Sequence, residues 1–223
     1  MGILKKQESY RVIYCDPAEA GLVSYSGEYE DRKSVFIANI TRVDSEEEVF
    51  VFLEEMRKKY PEACSHAFAY IIGQKGEYFR CNDNGEPSGT AGRPMLEVLK
   101  GTGIRGVLAV VSRYYGGTKL GTGGLIRAYT NAVQAALENC PTAMMKYGKL
   151  LQVETDYNGI GKIQYYMKQE KIAPQSTEYT DKVLVTVLLP DEAAEHFSKE
   201  ITDLTAGKSK ITVLEELFYP DPE

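Results

Sequence analysis

Eleven of the chain's 20 glycines fall between Gly85 and Gly124, and that crowding limits what the backbone there can become. Glycine loses more conformational freedom on folding than any other residue, so it sits best where a chain turns sharply or passes close to another segment. Two blocks hold most of the eleven. The first is Asn82-Asp83-Asn84-Gly85-Glu86-Pro87-Ser88-Gly89-Thr90-Ala91-Gly92-Arg93-Pro94; the second is Tyr114-Tyr115-Gly116-Gly117-Thr118-Lys119-Leu120-Gly121-Thr122-Gly123-Gly124. Each leads into a helical apolar pattern. Thr90 or Gly92 can start a short helix with Pro94 in its first turn, Met95, Leu96, Val98 and Leu99 on its apolar side and Gly101 at its end. Val107 to Tyr115 reads as an apolar strand, and a longer helix from about Thr122 to Asn139 buries Leu125, Ala128, Tyr129, Ala132, Val133, Ala136 and Leu137. Both blocks therefore place helix starts, with their unpaired N–H groups, at glycines.

The flanking segments supply a scaffold. Val35, Ile37 and Ile40 mark a strand over Ser34–Val43, paired with Leu22–Tyr29. Ser45 and Glu48 have capping-box spacing, and Val49, Phe52, Leu53 and Met56 then recur at helical intervals until Tyr60-Pro61. His66–Gly73 and Glu77–Cys81 read as a hairpin. Beyond Asn139-Cys140-Pro141 the composition changes: residues 141–223 hold nine lysines, no arginine and 14 acids. A domain boundary is expected there, giving domains over 1–140 and 141–223. The second domain reads as strand Lys149–Asp156, helix Gly159–Glu170, strands Ile172–Thr180 and Lys182–Leu189, helix Asp191–Thr205 and strand Lys210–Tyr219. That order, β-α-β-β-α-β, is the ferredoxin-like split pattern of an α+β protein.

Composition narrows the function classes. At 223 residues with 43% hydrophobic and 26% charged residues the chain matches a folded globular protein. It shows neither an apolar run of membrane-spanning length nor the apolar core of a signal peptide, so a cytoplasmic location without membrane attachment is expected. Cys15, Cys64, Cys81 and Cys140 form no C-x-x-C pair, which points to reduced, mostly packing cysteines and no metal site. Net charge is −6, yet Gly89–Asn131 carries Arg93, Lys100, Arg105, Arg113, Lys119 and Arg127 against Glu97 alone, +5 within a chain that is −11 elsewhere. A local basic surface in an acidic protein suits an anionic partner.

The string Gly85-Glu86-Pro87-Ser88-Gly89-Thr90-Ala91-Gly92-Arg93-Pro94, with Val110-Val111-Ser112-Arg113-Tyr114-Tyr115-Gly116-Gly117 and Lys119-Leu120-Gly121-Thr122-Gly123-Gly124-Leu125-Ile126-Arg127-Ala128-Tyr129, resembles the signature of the YigZ/IMPACT family. The likeness covers roughly residues 20 to 138, and the tail is similar to the second domain of the bacterial branch. The resemblance implies an N-terminal α+β domain of the ribosomal protein S5 domain 2-like fold and a C-terminal ferredoxin-like domain similar to those of elongation factor G. For eukaryotic members it implies regulation of translation under stress, by competition with a kinase for its activator protein. Their additional N-terminal interaction domain has no counterpart in this sequence, so that partner does not transfer.

Helix starts favour anions, and glycine lets a phosphate approach the backbone. The candidate anion- or RNA-binding residues are Glu86, Ser88, Gly89, Thr90, Gly92, Arg93, Arg113, Tyr114, Lys119, Gly121, Thr122, Gly123, Gly124 and Arg127, with Arg93, Arg113, Lys119 and Arg127 able to ring a phosphate if both helices start on one side of the sheet. The alternative is that the glycines serve turns and close packing. Gly116 and Gly121 have P-loop spacing but Thr122-Gly123 follows where Lys-Ser/Thr is required, and the G-x-G-x-x-G at Gly101–Gly106 follows a helix rather than a strand. Gly121–Gly124 also fits a G-x-x-G clamp for single strands. Tyr114, Tyr115 and Tyr129 could stack bases or simply pack. Catalysis has few candidates: Cys64 and His66 are too far apart along a strand for proton transfer, and Asp83 and Glu86 flank Ser88 in what reads as turn chemistry. The expectation is a non-enzymatic regulatory protein without a cofactor, meeting RNA, the ribosome or a translation-related protein. An enzyme acting on a small phosphorylated substrate or nucleotide and a pure protein-interaction module are the alternatives.

Overall fold

The computed structural model describes residues 9–14 and 23–222; Cys15 and Leu22 lie outside the described residues. The elements are β1 (Tyr10–Ile13), β2 (Ser24–Asp31), β3 (Ser34–Arg42), α1 (Glu46–Lys59), β4 (Ser65–Ile72), β5 (Tyr78–Asn82), α2 (Gly92–Thr102), β6 (Val107–Tyr114), α3 (Gly121–Leu137), β7 (Thr142–Thr155), α4 (Ile160–Gln169), β8 (Ser176–Tyr179), β9 (Val183–Pro190), α5 (Asp191–Leu204) and β10 (Lys210–Pro222). The protein is α+β; its described residues form two sheets and two compact units, residues 10–144 with 220–222 and residues 145–219. β7 runs across that dividing point, so the composition shift near 141 coincides with the start of a strand rather than with a linker.

The first unit is built on the sheet β2-β3-β6-β4-β5, antiparallel throughout. Strand periodicity divides its side chains between two faces. Phe36, Ala38 and Ile40 of β3, Ala67, Ala69 and Ile71 of β4 and Val107, Ala109 and Val111 of β6 pack under α2 and α3. The alternate residues Tyr70, Ile72, Leu108 and Val110 pack under Val49, Phe52, Leu53 and Met56 of α1. Both helices that start at glycine blocks thus share one face. α1 is capped as its sequence demands, Ser45 Oγ accepting from Glu48 N–H at 3.2 Å. The reciprocal bond goes one residue further back, to Asp44 N–H (2.7 Å), rather than to Ser45. α2 continues through Gly101 and stops at Gly103, whose φ of 69° belongs to the left-handed end of a helix. β1, too short to show a pattern in sequence, lies beside the start of β7, with Tyr14 N–H donating to Pro141 O at 2.9 Å.

In the second unit β7 and β9 are central, with β8 beside β9 and β10 beside β7. That is the strand order of a ferredoxin-like domain. Leu151, Val153, Val183, Val185, Val187 and Leu189 face Ile163 and Met167 of α4 and Ala194, Phe197 and Ile201 of α5. β8 is shorter than the sequence suggested: Ile172 closes α4 instead, donating to Met167 O at 2.8 Å.

Candidate functional site

The first glycine block is folded around one carboxylate. Asp83 accepts from Gly89 N–H through Oδ2 (2.8 Å) and from Ala91 and Gly92 N–H through Oδ1 (3.0 and 2.9 Å). The N-cap residue of α2, Ala91, has no side-chain cap of its own, so Asp83 supplies it from eight positions upstream. Burial pushes the Asp83 carboxyl upward, but the bonds from Gly89, Gly92 and Ala91 outweigh it and hold the group below its ordinary value. Gly92 permits the arrangement: a Cβ there would stand 2.7 Å from the backbone nitrogen of Asn82. The helix start expected to meet an external phosphate is therefore filled by the protein's own anion. Thr90 is buried, its Oγ1 donating to Pro87 O at 2.7 Å, while Ser88 and Arg93 are exposed.

Glu86 and Arg113 form a buried ion pair. Arg113 Nη1 donates to Glu86 Oε1 and Oε2 at 2.8 and 2.7 Å, and the two side chains are 9% and 6% exposed. Tyr129 OH donates to Glu86 Oε1 at 3.0 Å. The Tyr129 hydroxyl is pushed well above its ordinary pKa, first by burial and then by the charge of Glu86. Phe36 packs edge-on to Tyr129 at 5.1 Å, and Arg113 stands 5.3 Å from the Phe36 ring centroid and 5.6 Å from that of Tyr115. One expectation changes: Arg113 is neutralised inside the fold and does not ring an open pocket. Tyr129 is a core residue, as the buried face read for its helix implied, and offers no stacking surface. Both follow from β6 alternation, which turns Arg113 inward beside Val111, and from the position of Tyr129 on the buried side of α3.

The second block is open. Lys119, Gly121, Thr122, Gly123 and Arg127 are exposed, Tyr114 is half-buried, Leu120 packs against the core and Gly124 is buried. α3 has no side-chain cap and no acid in its first turn. Arg93, Lys119 and Arg127 make no ion pair with a described residue. A groove of about 520 Å³ lined by Gly89, Arg93, Pro94, Glu97, Val98, Ile126 and Thr130 links the end of the first block to α3. Gly116 N–H donates to Ser34 Oγ at 3.0 Å, and a Cβ on Gly116 would meet the Lys33 carbonyl carbon at 2.1 Å, so the loop lies directly on the β2–β3 turn. Glycine is required there by close approach.

On the opposite face His66 Nδ1 lies 2.9 Å from Ser112 Oγ, and His66 N–H donates to Asn84 Oδ1 at 2.7 Å. Burial, then the charge of Arg57, lowers the His66 pKa. Cys64 is exposed, with Sγ donating to Arg113 O at 3.2 Å, whereas Cys81 and Cys140 pack against the core. Sequence reasoning missed the role of Asp83 as a cap and the contact of Gly116 with the β2–β3 turn. The Asx-rich run at Asn82–Asn84 was the available signal for the first; the second had none.

Comparison with known proteins places this geometry. Residues 32–137 match the Impact N-terminal domain and residues 153–208 a domain of unknown function, DUF1949. A Bacillus subtilis protein, IMPACT family member YvyE, is 38% identical over 85% of this chain and 88% of its own length. The chain belongs to the IMPACT family. The Escherichia coli IMPACT family member YigZ is 34% identical over 84% of this chain and 93% of its own. A crystal structure of a hypothetical protein shares 31% identity, covers 93% of this chain and 98% of its own, and superposes with a TM-score of 0.59. Likeness to the IMPACT homolog of Schizosaccharomyces pombe is 37% over 48% of this chain but 39% of that protein. No helix among the described residues is long and apolar enough to cross a membrane.

Proposed function

We propose that this IMPACT-family protein is a non-enzymatic regulator connected with translation, whose first unit meets RNA or the ribosome through the exposed second glycine block. Family membership supports the link to translation. The observation that supports an anionic partner is the contrast between the two helix starts: α2 is closed by Asp83, whereas α3 begins uncapped beside exposed Lys119, with no acid in its first turn. Arg93, Lys119, Gly121, Thr122, Gly123 and Arg127 remain the contact candidates; Glu86, Thr90, Gly92 and Arg113 act from within by holding the loop. The phosphorylated-substrate reading has less support, because the ring of cations it needs loses Arg113 to Glu86.

Co-sedimentation with ribosomes across a salt series tests the proposal. Several phosphate contacts give a steep fall in association with salt, and Arg93→Ala/Lys119→Ala weakens it. No association at low salt, or none lost in the double variant, refutes the reading.

A further inference from the structure

The β2–β3 hairpin closes through a two-residue turn, Arg32-Lys33, between the paired residues Asp31 and Ser34. Both turn residues have positive φ, 48° and 64°. Such a turn matches the twist of the strands but favours Asn-Gly or glycine, since side chains tolerate the left-handed region poorly. This chain instead holds two exposed cations there, neither ion-paired to a described residue. The turn does not stand apart. The Gly116 backbone lies against Lys33, bringing the turn beside the loop that carries Tyr115 and Lys119. Strand alternation sends Glu28 and Glu30 to the face opposite α3, whose side of β2 carries Tyr25, Tyr29 and Asp31. One acid, Asp31, thus accompanies Arg32, Lys33 and Lys119. Tyr115 is 51% exposed, with the Arg113 guanidinium 5.6 Å from its ring centroid.

We propose that the Arg32-Lys33 turn, Lys119 and Tyr115 form one surface for a single-stranded nucleic acid, the cations meeting phosphates and the Tyr115 ring stacking on a base. The inference rests on the RNA reading above and adds residues that lie outside the glycine blocks. Cations on a strained turn beside a backed, half-exposed ring are the pairing that sequence-tolerant strand binding uses: charge along the backbone and an aromatic face for the bases. Strained, non-optimal backbone is also concentrated where a ligand is clamped.

The test is fluorescence anisotropy with a labelled oligouridine over a salt series, using the full chain. In Arg32→Asn/Lys33→Gly the turn receives the residues its geometry prefers and loses both charges. The melting temperature is expected to rise by about 2–4 °C, while the slope of log affinity against log salt becomes shallower by about 1.4, the share of two phosphate contacts on a single strand. Tyr115→Ala is expected to lower affinity roughly tenfold with the slope unchanged. If the wild type binds and the turn variant binds equally with the same slope, this inference fails and the wider function stands. Equal binding of Tyr115→Ala overturns the stacking role. Absence of oligouridine binding by the wild type at low salt overturns the inference together with the RNA reading, and a ribosome association that survives would then point to ribosomal protein.

Discussion

Individual side chains decide which half of the glycine signature is available to a partner. Asp83 spends its carboxylate on three backbone N–H groups, so Asp83→Asn, which keeps the size but loses the charge, is expected to cost about 1–2 kcal/mol in urea unfolding. Its pKa is held below the ordinary value, so its stabilising effect is complete above the unfolded value of about 3.9 and disappears as pH falls through the lower folded one. Asp83→Asn should therefore flatten the acid limb of stability below about pH 4. His66 works in the same sense at higher pH. Burial and Arg57 lower its pKa, so below about 6.5 the unfolded chain binds the proton first and stability declines as pH falls; His66→Asn should remove that slope in melts between pH 5 and 7. Glu86→Ala leaves Arg113 charged and buried and is expected to cost about 3–5 kcal/mol, while Glu86→Leu/Arg113→Met recovers much of it. Recovery would mark the pair as a device for holding the loop rather than a source of net stability. The Asx-rich run hinted at the Asp83 cap, eight residues from Ala91, but the other two roles had no sequence signal, because their partners lie far along the chain: 27 residues for Glu86 and Arg113 and 46 for His66 and Ser112.

At the scale of elements, periodicity carried most of the information. α1, α2 and α3 bury the residues their spacing selects, since an apolar stripe must find a sheet face. Their ends were less legible: Gly101 stays helical while Gly103 turns left-handed, its N–H donating to Lys100 O. The glycines in and around these elements have unequal roles. Gly27 lies under α3, where a Cβ would come within 2.2 Å of the Ala136 nitrogen, and nothing lies within 4 Å of a Cβ built on Gly123. Gly27→Ala is accordingly expected to destabilise by about 1–3 kcal/mol or more by forcing α3 off the sheet. Gly123→Ala should instead gain about 0.5–1 kcal/mol as an exposed helical position. Chemical denaturation of the pair checks both signs, and stabilisation by Gly27→Ala would contradict the packing described.

The whole molecule divides its charge as it divides its core. The basic segment lies in the unit of residues 10–144, and the other unit has a separate core around Phe197. Phe197→Ala is expected to cost about 3–5 kcal/mol in the second unit, and RNA affinity measured below the melting transition should stay unchanged. A loss of affinity in that variant would place part of the contact surface in residues 145–219. The strand and helix order after β1, the α+β class, the ferredoxin-like pattern and the family signature were determined by sequence, because they depend on local periodicity and on strings of adjacent residues. Tertiary structure alone decided that Asp83 fills one helix start, that Arg113 is neutralised by Glu86, and that the Arg32-Lys33 turn lies against Gly116. Those outcomes depend on which distant segments the sheet brings within hydrogen-bonding reach, and a one-dimensional pattern carries no distance between them.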